Sequence, residues 1–139
     1  MATMVLDAHA LMVLFNAPIR QHGHADAAVR SALAVCEAID AAAATREGWP
    51  RIRVGVNTGP ALIGNIGSED VRSFTAIGDA VNLASRLEGL APPGGVLVGE
   101  RTRELLTMPL TVESIGDVAV KGKQAPVPAF VVSDASQRQ

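Results

Sequence analysis

The amino-acid sequence predicts one domain of the α+β or mixed α/β class. Its 139 residues suit a single domain, and 48% of them are apolar, which is enough for a hydrophobic core. Short apolar runs typical of strands are mixed with segments of helical periodicity. A central pair of extended runs within residues 51–68 predicts a β-hairpin.

The first half of the chain gives one strand and one long helix. Residues 10–15 are an apolar run ended by Asn16, which predicts a strand buried on both faces. Apolar residues then recur at helical spacing over 24–45, with the charged residues largely on the other side. This helix places Cys36 in the core and His24 near its N-terminus, in a structural role.

The hairpin is predicted to turn through residues 57–60, and the glycines of "GNIGS" (64–68) are expected in tight backbone turns. An extended piece then leads into a helix that starts near Asp79 and is ended by the "PPGG" motif. The remaining elements are a strand at 96–99, a short helix at 100–106 and a closing pair of strands at 110–123 and 127–133. Residues 1–133 therefore form the predicted domain and 134–139 a polar tail.

Composition excludes several kinds of partner. A net charge of -2 and a pI near 5.9 give no electrostatic reason to expect nucleic acid or an anionic membrane. The single cysteine, Cys36, excludes an internal disulfide and suits a reducing compartment. The apolar start lacks a basic segment and is interrupted by Asp7 and His9, so we do not interpret it as a signal peptide. No apolar run is long enough to cross a bilayer, and a cytoplasmic location is expected.

The helix that starts near Asp79 combines an apolar face with a polar one. Asp79, Asn82 and Arg86 share a stripe, because positions i, i+3 and i+7 stack along one side, and a different face holds Ala80, Leu83, Ala84, Leu87 and Leu90. One interpretation is a solvated face with Asp79 as the N-cap. The other is a ligand site, since an amide and a guanidinium bind ring oxygens and phosphates. Spacing alone leaves both open.

The stretch "RIRVGVNTGPALIGNIGSEDVRSFTAIGDAVNLASRLEGL" resembles the class III nucleotidyl cyclases, the adenylyl and guanylyl cyclase catalytic domain. The resemblance implies a ferredoxin-like α+β fold that lacks the family's first strands and helices. It implies that Asn82 orients the ribose of ATP. Arg86 would bind triphosphate charge while the 3′-hydroxyl attacks the α-phosphorus and pyrophosphate leaves. Thr75 falls at a base-contacting position and favours ATP as the substrate.

The resemblance also implies Mg²⁺ or Mn²⁺, held by two aspartates that this chain does not match. One belongs to a segment like "FADI", which is absent, and the other is expected in "GDGLM", where this chain reads "AHALM". His9 therefore occupies the expected aspartate position, and an imidazole is a poor ligand for Mg²⁺. Asp7 would share a strand face with His9 and is a weak substitute that requires a shifted hairpin.

The "KGK" motif has two interpretations: it matches a recurrent family feature, or it is a solvated turn. Separately, Val127 stands where the resemblance implies a triphosphate-binding lysine. The lysines of this motif are Lys121 and Lys123.

The family's head-to-tail dimers imply a homodimer, or a heterodimer with another cyclase domain. Metal aspartates would then come from one subunit and the Asn–Arg pair from the other. Three hypotheses follow: a cyclase whose gene start was misplaced, a non-catalytic partner that lends Asn82 and Arg86 to an intact subunit, or a decayed fragment. In each case the 139-residue chain is expected to be inactive alone.

By the same resemblance, the family's first strand lies between the strand matching 10–15 and the one matching 51–57. We therefore expect a gap there, with unpaired backbone edges that cost about 1–3 kcal/mol per buried group. The sheet would close 10–15 directly against 51–57, borrow a strand from another copy, or aggregate. Residues 10–15 are expected to be the least protected strand.

Overall fold

The computed structural model describes residues 2–7, 11–17, 19–49, 51–60, 62–67, 72–119 and 125–134. These form eight strands and three helices: β1 Ala2–Asp7, β2 Met12–Phe15, α1 His24–Ala43, β3 Val54–Gly59, β4 Leu62–Gly67, β5 Arg72–Ile77, α2 Asp79–Leu90, β6 Val96–Gly99, α3 Glu100–Leu105, β7 Leu110–Val118 and β8 Val127–Asp134. The α+β class is confirmed, as are both long helices, the short helix and the closing pair of strands. Within these ranges no helix is both long and apolar enough to cross a membrane.

The centre of the fold is a six-stranded sheet with the strand order β2-β1-β3-β6-β8-β7. Only β3 and β6 pair in parallel; the other four neighbouring pairs are antiparallel. Side chains alternate between the two faces of a strand. On one face Val54, Val56, Val96 and Val98 pack against α1, and on the other Leu97 packs against Leu83 and Leu87 of α2. The sheet is therefore covered by α1 on one side and by α2 on the other.

The predicted hairpin within 51–68 is wrong. Residues 57–59 belong to β3 and continue the strand, and β3 pairs with β1 and β6 and not with β4. The hairpin partner of β4 is β5, with Leu62 opposite Ile77 and Gly67 opposite Arg72, in a separate two-stranded sheet. Gly64 and Gly67 accordingly lie within a strand and not in tight turns.

The expected gap in the sheet is also wrong, because β1 fills it. Ala2–Asp7 pairs on one side with β2, from Thr3 opposite Phe15 to Leu6 opposite Met12, and on the other with β3, from Ala2 opposite Gly59 to Asp7 opposite Val54. Both pairings are antiparallel, so the facing backbone edges of β2 and β3 find partners within the chain. This strand was not predicted, because the apolar start was considered only as a leader segment.

Buried hydroxyl groups fix β1 on β3. The Thr3 hydroxyl lies 2.8 Å from that of Thr58, its cross-strand neighbour, and 2.7 Å from Nδ1 of His24 at the start of α1. Thr58 in turn lies 2.9 Å from the hydroxyl of Thr102 in α3. A buried hydroxyl without a partner would cost about 1–3 kcal/mol, so this chain of four groups favours the observed register. His24 has the structural role that was predicted, and its burial lowers the pKa of the imidazole.

Cys36 lies in the α1 core, as predicted, and burial raises the pKa of its thiol to about 11. Asp26, by contrast, does not lie on the solvated side of α1. Its carboxylate accepts hydrogen bonds from the Thr107 backbone N–H at 2.9 Å, from the Thr107 hydroxyl and from the Met108 N–H. Burial by itself raises the pKa of this carboxyl, but the hydrogen bonds from Thr107 outweigh it and the net pKa is lowered. Asp26 therefore ties the start of α1 to the segment after α3.

Replacing Asp26 with Asn should reduce the free energy of unfolding by about 1.5–3 kcal/mol at neutral pH, the usual range for hydrogen bonds to a charged group. Because the folded pKa of Asp26 is lowered, its stabilisation is complete above the unfolded value of about 3.9 and is lost as pH falls through the folded value. Urea unfolding from pH 7 to pH 3 should show the difference between wild type and Asp26→Asn shrinking below about pH 4.

Asp40→Asn is the matched control, since Asp40 pairs with Arg51 at 3.1 Å on the exposed side of the same helix. An exposed ion pair is screened by solvent and contributes little, so this variant should change stability less at neutral pH. Equal losses in the two variants would contradict the role given to Asp26.

Candidate active site

Helix α2 has the two faces that its spacing predicts. Its buried residues are Ala80, Leu83, Ala84 and Leu87, and the last of these is fully buried. Leu90 was expected on the same face but is 37% exposed. Asp79, Asn82, Ser85 and Arg86 lie on the exposed side.

The start of α2 differs from the prediction that Asp79 caps it. Gly78 is the N-cap, and its carbonyl accepts hydrogen bonds from the backbone N–H groups of Val81 and Asn82, both at 3.1 Å. The φ of Gly78 is 140° with ψ 178°, a conformation that is essentially restricted to glycine. Asp79 is the first helical residue, where a carboxylate interacts favourably with the helix dipole. Strand β5 thus passes into α2 through one glycine.

Strand β3 holds α2 unusually close to the sheet. Alternate residues of β3 face the helix, and they are Gly55, Asn57 and Gly59. A Cβ atom on Gly55 would lie 2.3 Å from the Ala84 carbonyl oxygen, and one on Gly59 would lie 2.9 Å from the Ala80 Cβ. The buried Asn57 amide donates a hydrogen bond of 2.9 Å to the Ala80 carbonyl. The helix is therefore fixed both along its axis and in its distance from the sheet.

Asn82 and Arg86 lie one turn apart on the side of α2 that faces away from the sheet. The Nε–H of Arg86 donates to the Ala119 carbonyl just after β7, at 3.1 Å. This bond uses one of the five N–H donors of a guanidinium and fixes its direction. The arrangement presents a neutral amide and a permanent cation on a rigid support.

Thr75 lies in β5 opposite Gly64, in the two-stranded sheet and not in the six-stranded one. Asp7 is the last residue of β1, opposite Val54, and His9 lies outside the described residues. Lys121 and Lys123 also lie outside them. The structure therefore describes the side chains of Asn82 and Arg86. It gives only the backbone position of Asp7 and Thr75, and the other predicted site residues lie outside the described ranges.

A divalent metal site is not formed by the described residues, which contain no group of three His, Cys, Asp or Glu side chains close enough to share an ion. The donors that the sequence offers at the expected position are the His9 imidazole and the Asp7 carboxylate. Mg²⁺ binds through oxygen ligands, usually more than one carboxylate or phosphate, so this pair does not fit it.

A cleft of about 340 Å³ opens at the start of α2, and its polar lining residues include Asn57, Thr58, Asp79 and Arg101. Val127 at the start of β8 also borders it. Asn82 and Arg86 are not among its lining residues. The predicted pair therefore lies on an open surface, outside this cleft.

Asn57 and Thr58 line this cleft. They were not predicted as site residues, because the "NTG" motif was interpreted as a turn. The alternation of Gly55, Asn57 and Gly59 was the available signal. Small or amide side chains at every second position of a strand, with Val54 and Val56 between them, mark one face that a helix approaches closely.

Comparison with known proteins gives the family. The sequence profile described as the Adenylate and Guanylate cyclase catalytic domain matches residues 8–133. Adenylate cyclase 1 of Rhizobium meliloti (strain 1021) is 41% identical over 93 residues, which cover 64% of this chain and 14% of that protein. The chain thus spans about a seventh of this relative's length.

Solved structures agree with this result. The adenylyl cyclase CyaB from P. aeruginosa is 34% identical with a TM-score of 0.81, over 91% of this chain and 68% of that one. The guanylate cyclase domain of RhGC from Catenaria anguillulae, solved in complex with GTP, is 25% identical with a TM-score of 0.78, over 94% of this chain and 72% of that one. Both kinds of cyclase therefore share this fold.

Gly55→Ala tests the close packing of α2. The new methyl group would meet backbone atoms, the Ala84 oxygen at 2.3 Å and the Glu88 nitrogen at 2.4 Å, so the helix must shift. We expect a loss of about 1–3 kcal/mol or more in the free energy of unfolding, measured by urea denaturation.

Gly89→Ala is the control within α2, because nothing lies within 4 Å of a Cβ atom built there. It should stabilise the protein by about 0.5–1 kcal/mol through helix propensity. A Gly55→Ala protein as stable as wild type would show that α2 is not held as described.

Proposed function

Because this chain belongs to the adenylate and guanylate cyclase catalytic domain family, we propose that it contributes the substrate-binding half of a nucleotidyl cyclase site. The reaction is the conversion of ATP to 3′,5′-cyclic AMP and pyrophosphate. Asn82 and Arg86 are the residues that act on the substrate, and a second cyclase domain supplies the carboxylates for the metal ions. The 139-residue chain alone is inactive.

The main support for this proposal is the exposed Asn82–Arg86 pair, which lies on a helix whose opposite side packs against β3. Transition-state charge is best stabilised by donors that are already in position and need no rearrangement. Gly55 and Asn57 hold the helix, and the Arg86–Ala119 hydrogen bond orients the guanidinium. An open surface is what a site completed by another domain requires.

In this site the Asn82 amide would orient the ribose, and the guanidinium of Arg86 would lie against the triphosphate. As the 3′-oxygen bonds to the α-phosphorus and the bond to pyrophosphate breaks, negative charge grows on the phosphate oxygens. A permanent cation offsets that charge without changing its own protonation state. Asn82 contributes orientation, since it holds the 3′-hydroxyl in line with the phosphorus.

ATP is proposed over GTP on the basis of Thr75, at the position that contacts the base in the family. The named adenylate cyclase of Rhizobium meliloti is consistent with this choice. The fold is shared with a guanylate cyclase domain, so fold alone does not select the base.

Inactivity of the chain alone follows from its metal donors. The family chemistry uses Mg²⁺ or Mn²⁺ to activate the attacking hydroxyl and to neutralise phosphate charge. His9 and Asp7 are a poor donor set for either task, because hard cations prefer several oxygen ligands. A partner domain with both aspartates, in a heterodimer, would supply what is missing.

The purified 139-residue chain should form no detectable cyclic AMP from ATP with Mg²⁺ or Mn²⁺, assayed by mass spectrometry of the product. The expected rate is indistinguishable from that of Arg86→Ala, because the arginine has no metal-activated nucleophile to assist. Turnover that is present in wild type and lost in Arg86→Ala would contradict this, since a contaminating enzyme would be unaffected by the substitution.

Complementation tests the proposed role directly. Wild-type chain is mixed with an intact adenylyl cyclase domain whose own equivalent asparagine and arginine are replaced by alanine. Activity should return at one hybrid site. Asn82→Ala or Arg86→Ala in this chain should each reduce the rescue by about 10²–10³-fold, the usual cost of one lost transition-state donor.

Ser85→Ala is the matched control, as Ser85 is also exposed on α2 and lies next to Arg86 in sequence. It should rescue as well as wild type. Rescue that is equal in Ser85→Ala and in the Asn82→Ala, Arg86→Ala double variant would mean that the chain only stabilises its partner's fold.

A further inference from the structure

Strand β7 contains a bulge in its second half. Up to Ser114 the strand pairs with β8 in one register, with Ser114 opposite Phe130. The next pair along the ladder is Gly116 opposite Ala129, so the register shifts by one residue at this point. Ile115 is therefore the extra residue of a β-bulge, and everything after it in β7 is displaced by one position relative to β8.

Two residues next to Ile115 stabilise this bulge. Gly116 has a φ of 87°, a left-handed conformation that favours glycine. The hydroxyl oxygen of Ser114 accepts a hydrogen bond of 3.1 Å from the Gly116 backbone N–H, which closes a short turn within the strand. A Cβ atom built on Gly116 would meet no described atom within 4 Å. Backbone conformation, and not lack of space, is therefore the reason why this position suits glycine.

The register shift decides which residue of β7 faces helix α2. Val118 stands opposite Val127 and is buried in the apolar cluster that includes two leucines of α2, Leu83 and Leu87. In a strand without the extra residue, Asp117 would stand opposite Val127, because the earlier register would simply continue. A carboxylate would then face the apolar cluster. The bulge thus places Val118 against the helix and leaves Asp117 exposed.

The same shift places the hydrogen-bond acceptor of Arg86. Ala119 directly follows Val118, and its carbonyl oxygen lies 3.1 Å from the Nε of Arg86. A strand advances by about 3.3 Å per residue, so a slip of one residue in β7 would move this carbonyl out of reach of the guanidinium. The direction of the Arg86 side chain therefore depends on the register of β7.

The kind of acceptor matters as well as its position. Within the described residues Arg86 forms no ion pair, and its Nε–H is held by a neutral carbonyl. The guanidinium consequently keeps its full positive charge. Its two terminal NH₂ groups form an edge of the kind that binds a phosphate through two parallel hydrogen bonds.

We propose that Ser114 and Gly116 are positioning residues for Arg86, and that the β7 bulge sets the direction of the guanidinium through the Ala119 carbonyl. Both residues act through Arg86 and do not themselves contact a substrate. The bulge fixes the end of β7, and the end of β7 fixes the carbonyl that holds the side chain. The consequence for phosphate binding rests on the function proposed above, whereas the position of the side chain can be measured without it.

Nitrogen–proton correlation spectra of the full 139-residue chain test the proposal, because the Nε–H group of each arginine gives its own signal. The Arg86 signal is assigned by its absence from the spectrum of Arg86→Lys. Gly116→Ala disfavours the observed φ, so it should shift the Arg86 signal and speed the exchange of this proton with water about 2–10-fold, the factor that corresponds to one hydrogen bond.

Ser114→Ala is the second variant, because it removes only the hydroxyl acceptor on an exposed residue. It should change the Arg86 signal in the same direction as Gly116→Ala and by a smaller amount. It carries the test if Gly116→Ala does not fold.

Gly48→Ala is the matched control. Gly48 has a φ of 82°, and a Cβ atom built there also meets no described atom within 4 Å, so the substitution imposes a similar backbone strain. Gly48 lies in the segment after α1, and α1 covers the face of the sheet opposite α2. Urea denaturation should show similar losses of stability in Gly48→Ala and Gly116→Ala, whereas the Arg86 signal should change only in Gly116→Ala.

Complementation of the disabled cyclase domain measures the consequence for the proposed site. Gly116→Ala should lower the rescue by up to about tenfold, while Gly48→Ala should rescue as well as wild type. In a chain that already carries Arg86→Ala, Gly116→Ala should lower the rescue no further, because both changes act through the same guanidinium.

An Arg86 signal that is unchanged in both Gly116→Ala and Ser114→Ala would overturn the positioning role, and so would a signal that changes equally in Gly48→Ala. Wild-type chain that gives no rescue, with an Arg86 signal that still depends on Gly116, would instead overturn the proposed function and support the positioning role. The two proposals therefore fail separately.

Discussion

The close contact between α2 and β3 is the constraint on which the rest of the structure depends. Gly55 leaves no room for a side chain, and the helix backbone occupies that space. The side-chain amide of Asn57, in β3, also donates a hydrogen bond to the Ala80 carbonyl of the helix. Protein interiors are close-packed, so a helix held by backbone contact on one side has little freedom to tilt or slide. The backbone positions that carry its outer side chains, among them Asn82 and Arg86, are therefore fixed as well.

The other half of the sheet depends on β1. By pairing with both β2 and β3 it removes two backbone edges that would otherwise be unsatisfied. The hydroxyl groups of Thr3, Thr58 and Thr102 link β1, β3 and α3 in one buried chain. A buried hydroxyl group without a hydrogen-bond partner is costly, so the network favours the observed register of β1 on β3 over a shifted one.

The outer side of α2 offers an amide and a cation. Amide and guanidinium groups bind ring oxygens and phosphates, so this side is chemically suited to a phosphorylated ligand. Because α1 and α2 cover opposite faces of the sheet, α1 does not cover this side of α2.

The sequence by itself determined the local elements and the residue chemistry. Helical periodicity gave α1 and α2 and the buried face of α2, since burial repeats every three to four residues. The motif in α2 indicated the family, and Asn82 and Arg86 are predicted as site residues through that resemblance. Only the tertiary structure decided that residues 57–59 extend β3, that Ala2–Asp7 enters the sheet and that Asp26 is buried. Strand pairing and helix-to-loop hydrogen bonds depend on contacts between residues far apart in sequence, as between Asp26 and Thr107, and local patterns do not encode them.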